Sequence, residues 1–301
     1  MINDFQQKIE LIGVDVLDRH RSLVEELKSL AASLGIALGW HYLLDLSWII
    51  SQLNMIPAMR VVDAGAGIGL MQWYLAGKGA EVISVDRANR VNLPLKFQAK
   101  SQVRGLRIQD LCSKRETITY NLSQAPSLLR KGSGLLRDGF WAVASDLTSK
   151  SSGRVVVYHQ DLRNLAEIPD ASIEAVIAVS SLEHNPPDEL EEVVNELMRV
   201  IKPGGVMLAT LGASPAKDWF HQPSQGWCYT AETLRLKFNL PPTVHSNYDK
   251  YDQLFDRLVT CQELRDHLAE FYFLSGDNGM PWGKWDPQYQ PVGVCKVKQI
   301  I

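Results

Sequence analysis

At 301 residues, 46% hydrophobic and 22% charged, the chain has enough apolar content for a full core, which excludes the disordered, fibrous and disulfide-scaffold classes. No run approaches the roughly 18 consecutive apolar residues of a membrane span, and Met1 to Lys8 opens no apolar signal core, so the expected location is cytoplasmic. The net charge of −3 conceals an uneven distribution: residues 87–152 hold twelve Lys and Arg against four acids, an excess of +8 that leaves −11 for the remainder.

In chain order, the stretch to about Leu53 is helical in pattern, with Ile9, Leu17, Leu23, Leu27 and Leu30 and later Leu43, Leu44, Leu46, Trp48, Ile49 and Ile50 at helix-like spacings, interrupted at Gly35 and Gly39. The register then changes to short apolar runs alternating with helices, the signature of a parallel sheet built from βαβ units. Arg60 to Asp63 reads as the first strand, a helix follows from about Leu70 to Lys78, and Glu81 to Asp86 reads as the second strand. The third, Arg154 to His159, comes much later than the ~30 residues of a βαβ unit allow, so 91–152 is an insert. Within it, Gly132, Ser133 and Gly134 read as breakers ahead of an amphipathic run from Leu135 to Leu147. Ile173 to Val179 is a fourth strand, Pro187 to Ile201 a helix with acids at its start and bases at its end, and Val206 to Leu211 a fifth strand. A helix from about Thr260 to Glu270 precedes two runs, Phe271 to Leu274 and Pro291 to Val297, that read as a final strand pair.

The sharpest motif is Val61-Val62-Asp63-Ala64-Gly65-Ala66-Gly67-Ile68-Gly69, a strand that enters a glycine turn and opens a helix. Glycine lets backbone approach a ligand closely, and a helix N-terminus offers N–H groups to negative charge. Seventeen residues beyond Gly69, Asp86 ends the second strand, placed to accept both hydroxyls of a ribose. The spacing is G-x-G-x-G, whereas dinucleotide sites favour G-x-G-x-x-G. Asp63 is a poor neighbour for a pyrophosphate and a good one for an ammonium group. A further acid, Asp161, follows the third strand, where a carboxylate accepts from an adenine amino group.

On these residues the chain resembles the class I S-adenosylmethionine-dependent methyltransferases, closest to the small-molecule type 11 group. The resemblance also covers Leu182-Glu183-His184 after the fourth strand and Ile201-Lys202-Pro203-Gly204-Gly205 before the fifth. It implies a doubly wound, Rossmann-like α/β fold with a seven-stranded sheet in the order 3-2-1-4-5-7-6, the last strand antiparallel. One methyltransferase domain is then expected over 1–301, comprising an N-terminal helical cap (1–55), a cofactor-binding core (56–90 and 153–212), the basic insert (91–152), and a substrate-facing region with the last strands (213–301). S-adenosylmethionine is the implied cofactor and S-adenosylhomocysteine the product. The implied contacts are Asp63, Gly65, Ala66, Gly67 and Gly69 for the methionine part, Asp86 and Arg87 at the ribose, Asp161 and Leu162 at the adenine, and Ser180 and Glu183 beyond strand four.

Methyl transfer from a sulfonium is an in-line displacement, so a general base is needed only where the acceptor is poorly ionised. His184, following strand four, is the candidate catalytic residue, against the alternative that it merely orients Glu183 or the next helix. Trp40, His41 and Tyr42, with His221 and Trp227 after strand five, are candidates for substrate binding; ordinary packing and loop roles are their alternatives. Asn185-Pro186-Pro187-Asp188 resembles the N-P-P-aromatic motif of adenine methyltransferases but lacks the ring, and reads as a helix cap. Cys112, Cys228, Cys261 and Cys295 form no C-x-x-C pair, so no metal is expected.

The basic insert points to an acidic acceptor, phosphorylated, carboxylated or glycan-linked, against the alternatives of a solvated face, a membrane surface or RNA, for which no module is recognisable. The expected reaction is methylation of an oxygen or nitrogen on a small molecule, with no DNA partner and no transmembrane segment. An NAD-dependent oxidoreductase would use the same glycine turn and Asp86 but gives Asp63 no role, and a non-catalytic S-adenosylmethionine-binding protein would need neither His184 nor the aromatic loops.

Overall fold

The computed structural model describes residues 6–53, 55–56, 58–147, 153–275 and 284–300. The chain forms two units, Met1–Asn54 with Leu162–Ile301, and Met55–Asp161. Both are mixed α/β, and the fold is Rossmann-like.

The first unit opens with β1 (Lys8–Leu11), α1 (Asp15–Arg19), α2 (Arg21–Leu34) and α3 (Tyr42–Gln52). In α2, Val24, Leu27, Ala31 and Leu34 recur every three or four residues and are buried as one stripe. Ile9 is not part of a helix, as the apolar spacing suggested. Lys8-Ile9-Glu10-Leu11 alternates half-exposed polar with buried apolar residues, a period of two that makes a strand.

The second unit contains β2 (Arg60–Ala64), α4 (Leu70–Gly77), β3 (Glu81–Asp86), α5 (Leu95–Lys100), β4 (Gln102–Gly105), α6 (Lys114–Gln124), α7 (Leu128–Leu147) and β5 (Arg154–His159). Its strands pair in the order β2-β3-β5-β4, all parallel. The runs Val82 to Val85 and Val155 to Tyr158 are buried throughout, as expected of parallel strands covered on both faces. The insert therefore adds an edge strand, β4. It also carries α7, which runs straight through Gly132 and Gly134. Those residues do not break the helix; glycine in a helix interior costs only about 1 kcal/mol each.

The chain returns to the first unit with β6 (Ile173–Val179), α8 (Leu190–Val200), β7 (Ile201–Ala213), β8 (Trp219–His221), β9 (Gly226–Tyr229), α9 (Ala231–Lys237), β10 (His245–Ser246), α10 (Tyr251–Val259), α11 (Gln262–Ser275) and β11 (Gln290–Val297). β6 and β7 are parallel, β11 is antiparallel to β7, β1 is antiparallel to β11, and β10 closes the series parallel to β1. The antiparallel last strand is as expected, but its outer neighbour is the N-terminal β1. Phe271 to Leu274 is no strand: with no Gly or Pro between Thr260 and Ser275 the helix continues through it as part of α11. α3 lies against β11, and Gly293 permits this, since a Cβ there would come within 2.4 Å of the Trp48 ring. Among the described residues, no helix is long and apolar enough to cross a membrane.

Candidate cofactor and acid–base sites

In the second unit, β2 delivers Asp63 to the start of the glycine turn with its carboxyl almost fully buried. Burial pushes it up to about 7, against a lowering by the Arg90 guanidinium and a further rise from Asp86. The turn itself is fastened to the end of β3. Gly65 and Ala66 both donate their N–H to Val85 O, at 2.9 and 3.0 Å. Gly67, at φ +48°, donates to Asp86 Oδ2 at 2.6 Å, while Ala88 donates to Asp86 Oδ1 at 2.6 Å. A side chain at Gly67 would meet only ordinary contact, 3.9 Å from that oxygen, so the glycine is required by its left-handed backbone and not by crowding.

Beneath the turn lies a buried polar network that the motif does not announce. Arg90 donates through Nη1 to Gly67 O at 2.8 Å and to Ser84 Oγ at 2.5 Å, and through Nη2 to Ser84 O at 2.7 Å. Ser84 Oγ in turn donates to Gln72 Oε1 at 2.8 Å, and Gln72 Nε2 donates to Gly69 O at 3.1 Å. Arg90 counts among the cations of the basic segment, yet it is 6% exposed and serves the turn. Two more of those cations touch buried acids, Arg107 with Asp110 and Arg137 with Asp138, both at 3.0 Å, although the Arg137 side chain itself stays 65% exposed. The +8 of this segment is thus partly internal.

Arg87 is exposed; its carbonyl lies 2.9 Å from His159 Nε2. Asp161 is half-buried just beyond β5, where Gln160 donates to Asp86 O at 3.0 Å.

In the first unit, β6 is followed by Ser180, a non-glycine residue at φ +44°. Such strain costs on the order of 1 kcal/mol and persists where the surroundings enforce it. Here Ser180 N donates to Thr210, and Ser180 Oγ donates to Glu183 Oε1 at 2.5 Å. Glu183 is buried, which pushes its pKa up; His184, Ser180 and His41 act in the opposite direction. Among the described residues its other oxygen has no hydrogen-bond partner. His184 is exposed, with Nδ1 3.0 Å from Gln225 O.

His41 Nδ1 lies 2.6 Å from Asp45 Oδ2, one helical turn along, and its Nε2 lies 3.3 Å from Tyr289 Oη. All three side chains are buried. With the proton assigned to Nδ1, toward Asp45, the ring presents Nε2 as an acceptor to the tyrosine hydroxyl. Trp40 and His221 meet Tyr289 edge-on, with ring centroids at 5.3 and 5.2 Å. His221 is a buried strand residue and not an exposed loop residue; burial lowers its pKa, Ser224 Oγ holds its Nδ1 at 2.7 Å, and among the described residues its Nε2 has no hydrogen-bond partner. Tyr42 is half-buried beside His41, at a ring distance of 5.3 Å.

Trp227 is not with them. In the β8–β9 pairing it stands opposite Phe220, while His221 stands opposite Gly226, so the two-residue alternation puts Trp227 and His221 on opposite faces. Sequence reading missed Asp45, Tyr289, Gln72 and the role of Arg90. Asp45 carried a signal, an acid four residues after His41 inside the apolar run of α3, whereas Tyr289 carried none. Among the described residues no cluster of His, Cys, Asp or Glu is placed to hold a metal.

Residues 137–209 match a family model described as a methyltransferase domain, a span that includes β5, β6 and the start of β7. No curated protein matches the chain. Similar solved structures include the PH0226 protein from Pyrococcus horikoshii OT3, at 17% identity and a TM-score of 0.32 over 66% of this chain and 57% of that one. The YcgJ protein from Bacillus subtilis aligns at 16% identity and a TM-score of 0.43, over 85% of this chain and 98% of that one. Phosphoethanolamine N-methyltransferase 2 from Haemonchus contortus aligns at 15% identity and a TM-score of 0.44, over 95% of this chain and 60% of that one. The chain thus spans less than two thirds of the first and third of these proteins. Over residues 137–209 the chain is thus similar to a methyltransferase domain, on a Rossmann-like fold that carries the glycine turn and the acid at the end of β3 in the expected order.

Proposed function

We propose that the chain binds S-adenosylmethionine through the glycine turn of its second unit and transfers the methyl group to an oxygen or nitrogen of a small acceptor. The observation that carries this reading is the joining of turn and strand-end acid through Gly67 and Asp86. Each Asp86 oxygen accepts one backbone N–H and retains a lone pair for a ribose hydroxyl. The buried Asp63 carboxyl fits an ammonium group, whose charge would draw it into its ionised form. Gly65, Ala66 and Gly69 are assigned to the methionine part and Asp161 to the adenine. Arg87 completes the proposed contacts of this unit.

When bound, the cofactor supplies an electrophilic methyl on a sulfonium. The protein's share is to position the acceptor heteroatom in line with it and to take up a proton where the acceptor carries one. His184, exposed and oriented by Gln225, is assigned to meet the acceptor. Cations of the insert that reach solvent outside α7, among them Arg104 and Arg115, favour an anionic acceptor.

Calorimetric titration with S-adenosylmethionine, S-adenosylhomocysteine and NAD, repeated on Asp86→Ala, tests the reading. Micromolar binding of the first two that collapses in the variant supports it; binding of NAD alone, or of none, refutes it.

A further inference from the structure

α7 turns an apolar face to solvent. Leu135, Leu136, Phe140 and Val143 are exposed by 50, 78, 64 and 59%. At roughly 100° per residue the four fall within about 140° of the helix circumference, and the last three within about 60°. Gly132 and Gly139 lie in the same arc, and a Cβ at either would meet nothing within 4 Å. Arg130 and Arg137 border the arc on one side and Lys131 on the other, all exposed. The opposite side packs on α5 and α6, where the buried Asp138 accepts from Asn121 Nδ2 at 2.8 Å. Beside the stripe runs a groove of 380 Å³ whose lining includes Asn121, Ser133, Arg130 and Arg137.

We propose that this face of α7 is a peripheral docking surface for an anionic lipid bilayer. The helix lies in the interface plane, with Leu136, Phe140 and Val143 among the upper acyl chains and Arg130, Lys131 and Arg137 at the headgroup phosphates. An apolar stripe edged by cations on both sides is the pattern such helices use, burying apolar area and drawing on anionic charge at once. Three of the four exposed side chains are aliphatic, so the face offers little for stacking single-stranded bases. The inference is independent of the methyltransferase reading.

The test is co-sedimentation of the full chain with vesicles of phosphatidylcholine alone and of phosphatidylcholine with phosphatidylserine, at low and high salt. Two double variants accompany it, Leu136→Ser with Phe140→Ser, and Arg130→Gln with Arg137→Gln, their folding followed by far-ultraviolet circular dichroism. The expected result is binding to the anionic vesicles that weakens with salt. The apolar variant should lose at least about tenfold. The arginine variant should lose roughly thirtyfold, at about fivefold per basic residue near an anionic surface. If the apolar variant misfolds, the arginine variant and the salt series decide. Failure to bind anionic vesicles, or binding that neither variant weakens, overturns the proposal. So does a wild-type dimer that the apolar variant dissociates, or retention of a homopolymeric RNA, when vesicles are not bound.

Discussion

Gly67 donates its backbone N–H to Asp86 Oδ2 at 2.6 Å, which makes the glycine turn and the acid at the end of β3 one structure and not two adjacent motifs. The second oxygen of Asp86 holds Ala88, so a single carboxylate braces the backbone on both sides of the proposed ribose site. Asp86→Asn retains one acceptor oxygen and loses the charge. Hydrogen bonds to a charged group contribute about 1.5–3 kcal/mol each. The expected outcome is a ten- to hundredfold weaker affinity for S-adenosylhomocysteine by calorimetry, with Asp86→Ala weaker again. Equal affinity in wild type and Asp86→Asn would show that the brace does not shape the site.

Asp63 sets a conflict between stability and binding. Its pKa rises from 3.8 to about 7 in the folded chain through burial. Below pH 4 the group is protonated whether folded or unfolded. Between 4 and 7 the unfolded chain ionises first, so stability falls as pH rises, and above 7 the penalty is complete, a few kcal/mol at about 1.4 kcal/mol per pKa unit. Asp63→Asn removes the penalty. It should unfold at a higher temperature than wild type near about pH 8, and the difference should shrink toward about pH 4. The same variant should lose the stabilisation that S-adenosylmethionine gives wild type. A variant less stable than wild type at the higher pH would contradict the assignment.

Arg90 is the residue on which the turn rests, since its guanidinium supplies Gly67 O, Ser84 O and Ser84 Oγ together. A planar fork of donors can do this and a lysine ammonium cannot hold the same geometry. Arg90→Lys should therefore weaken cofactor binding while keeping the charge. Arg90→Met, which leaves buried acceptors unmatched, should cost about 3 kcal/mol or more in urea unfolding. Full retention of affinity by Arg90→Lys would show that charge alone matters at this position.

Several of these features were legible in the sequence and others were not, for identifiable reasons. β3, β5 and β6 occupy the residues expected of them because each is a mainly apolar, β-branched run with its limits marked by charge or turn residues. The link between the glycine turn and Asp86 lies where the motif and its spacing put it. β4 was not legible, since Gln102 to Gly105 is a half-exposed edge strand with no apolar pattern and exists through its partner β5. Arg90 looked like one more surface cation because nothing local marks a charge that will be buried by a turn more than twenty residues earlier. Tyr289 reaches His41 across 248 positions, a contact that only the assembled first unit defines.

Packing at Gly293 gives a prediction on stability that leaves the proposed sites untouched. The Trp48 ring of α3 lies over this glycine on β11, and three ring atoms would stand 2.4 to 2.5 Å from an added Cβ. A rigid indole has no flexible end to move aside, and Trp48 Nε1 is tied to Glu10 Oε2 at 2.8 Å. Gly293→Ala should cost about 1–3 kcal/mol by overpacking, read as a lower urea midpoint with an unchanged slope. Combining it with Trp48→Phe should recover part of the loss, because the smaller ring vacates space and the two sites are in contact. Strictly additive destabilisation in the double variant would mean that α3 does not rest on Gly293 in the way the distances indicate.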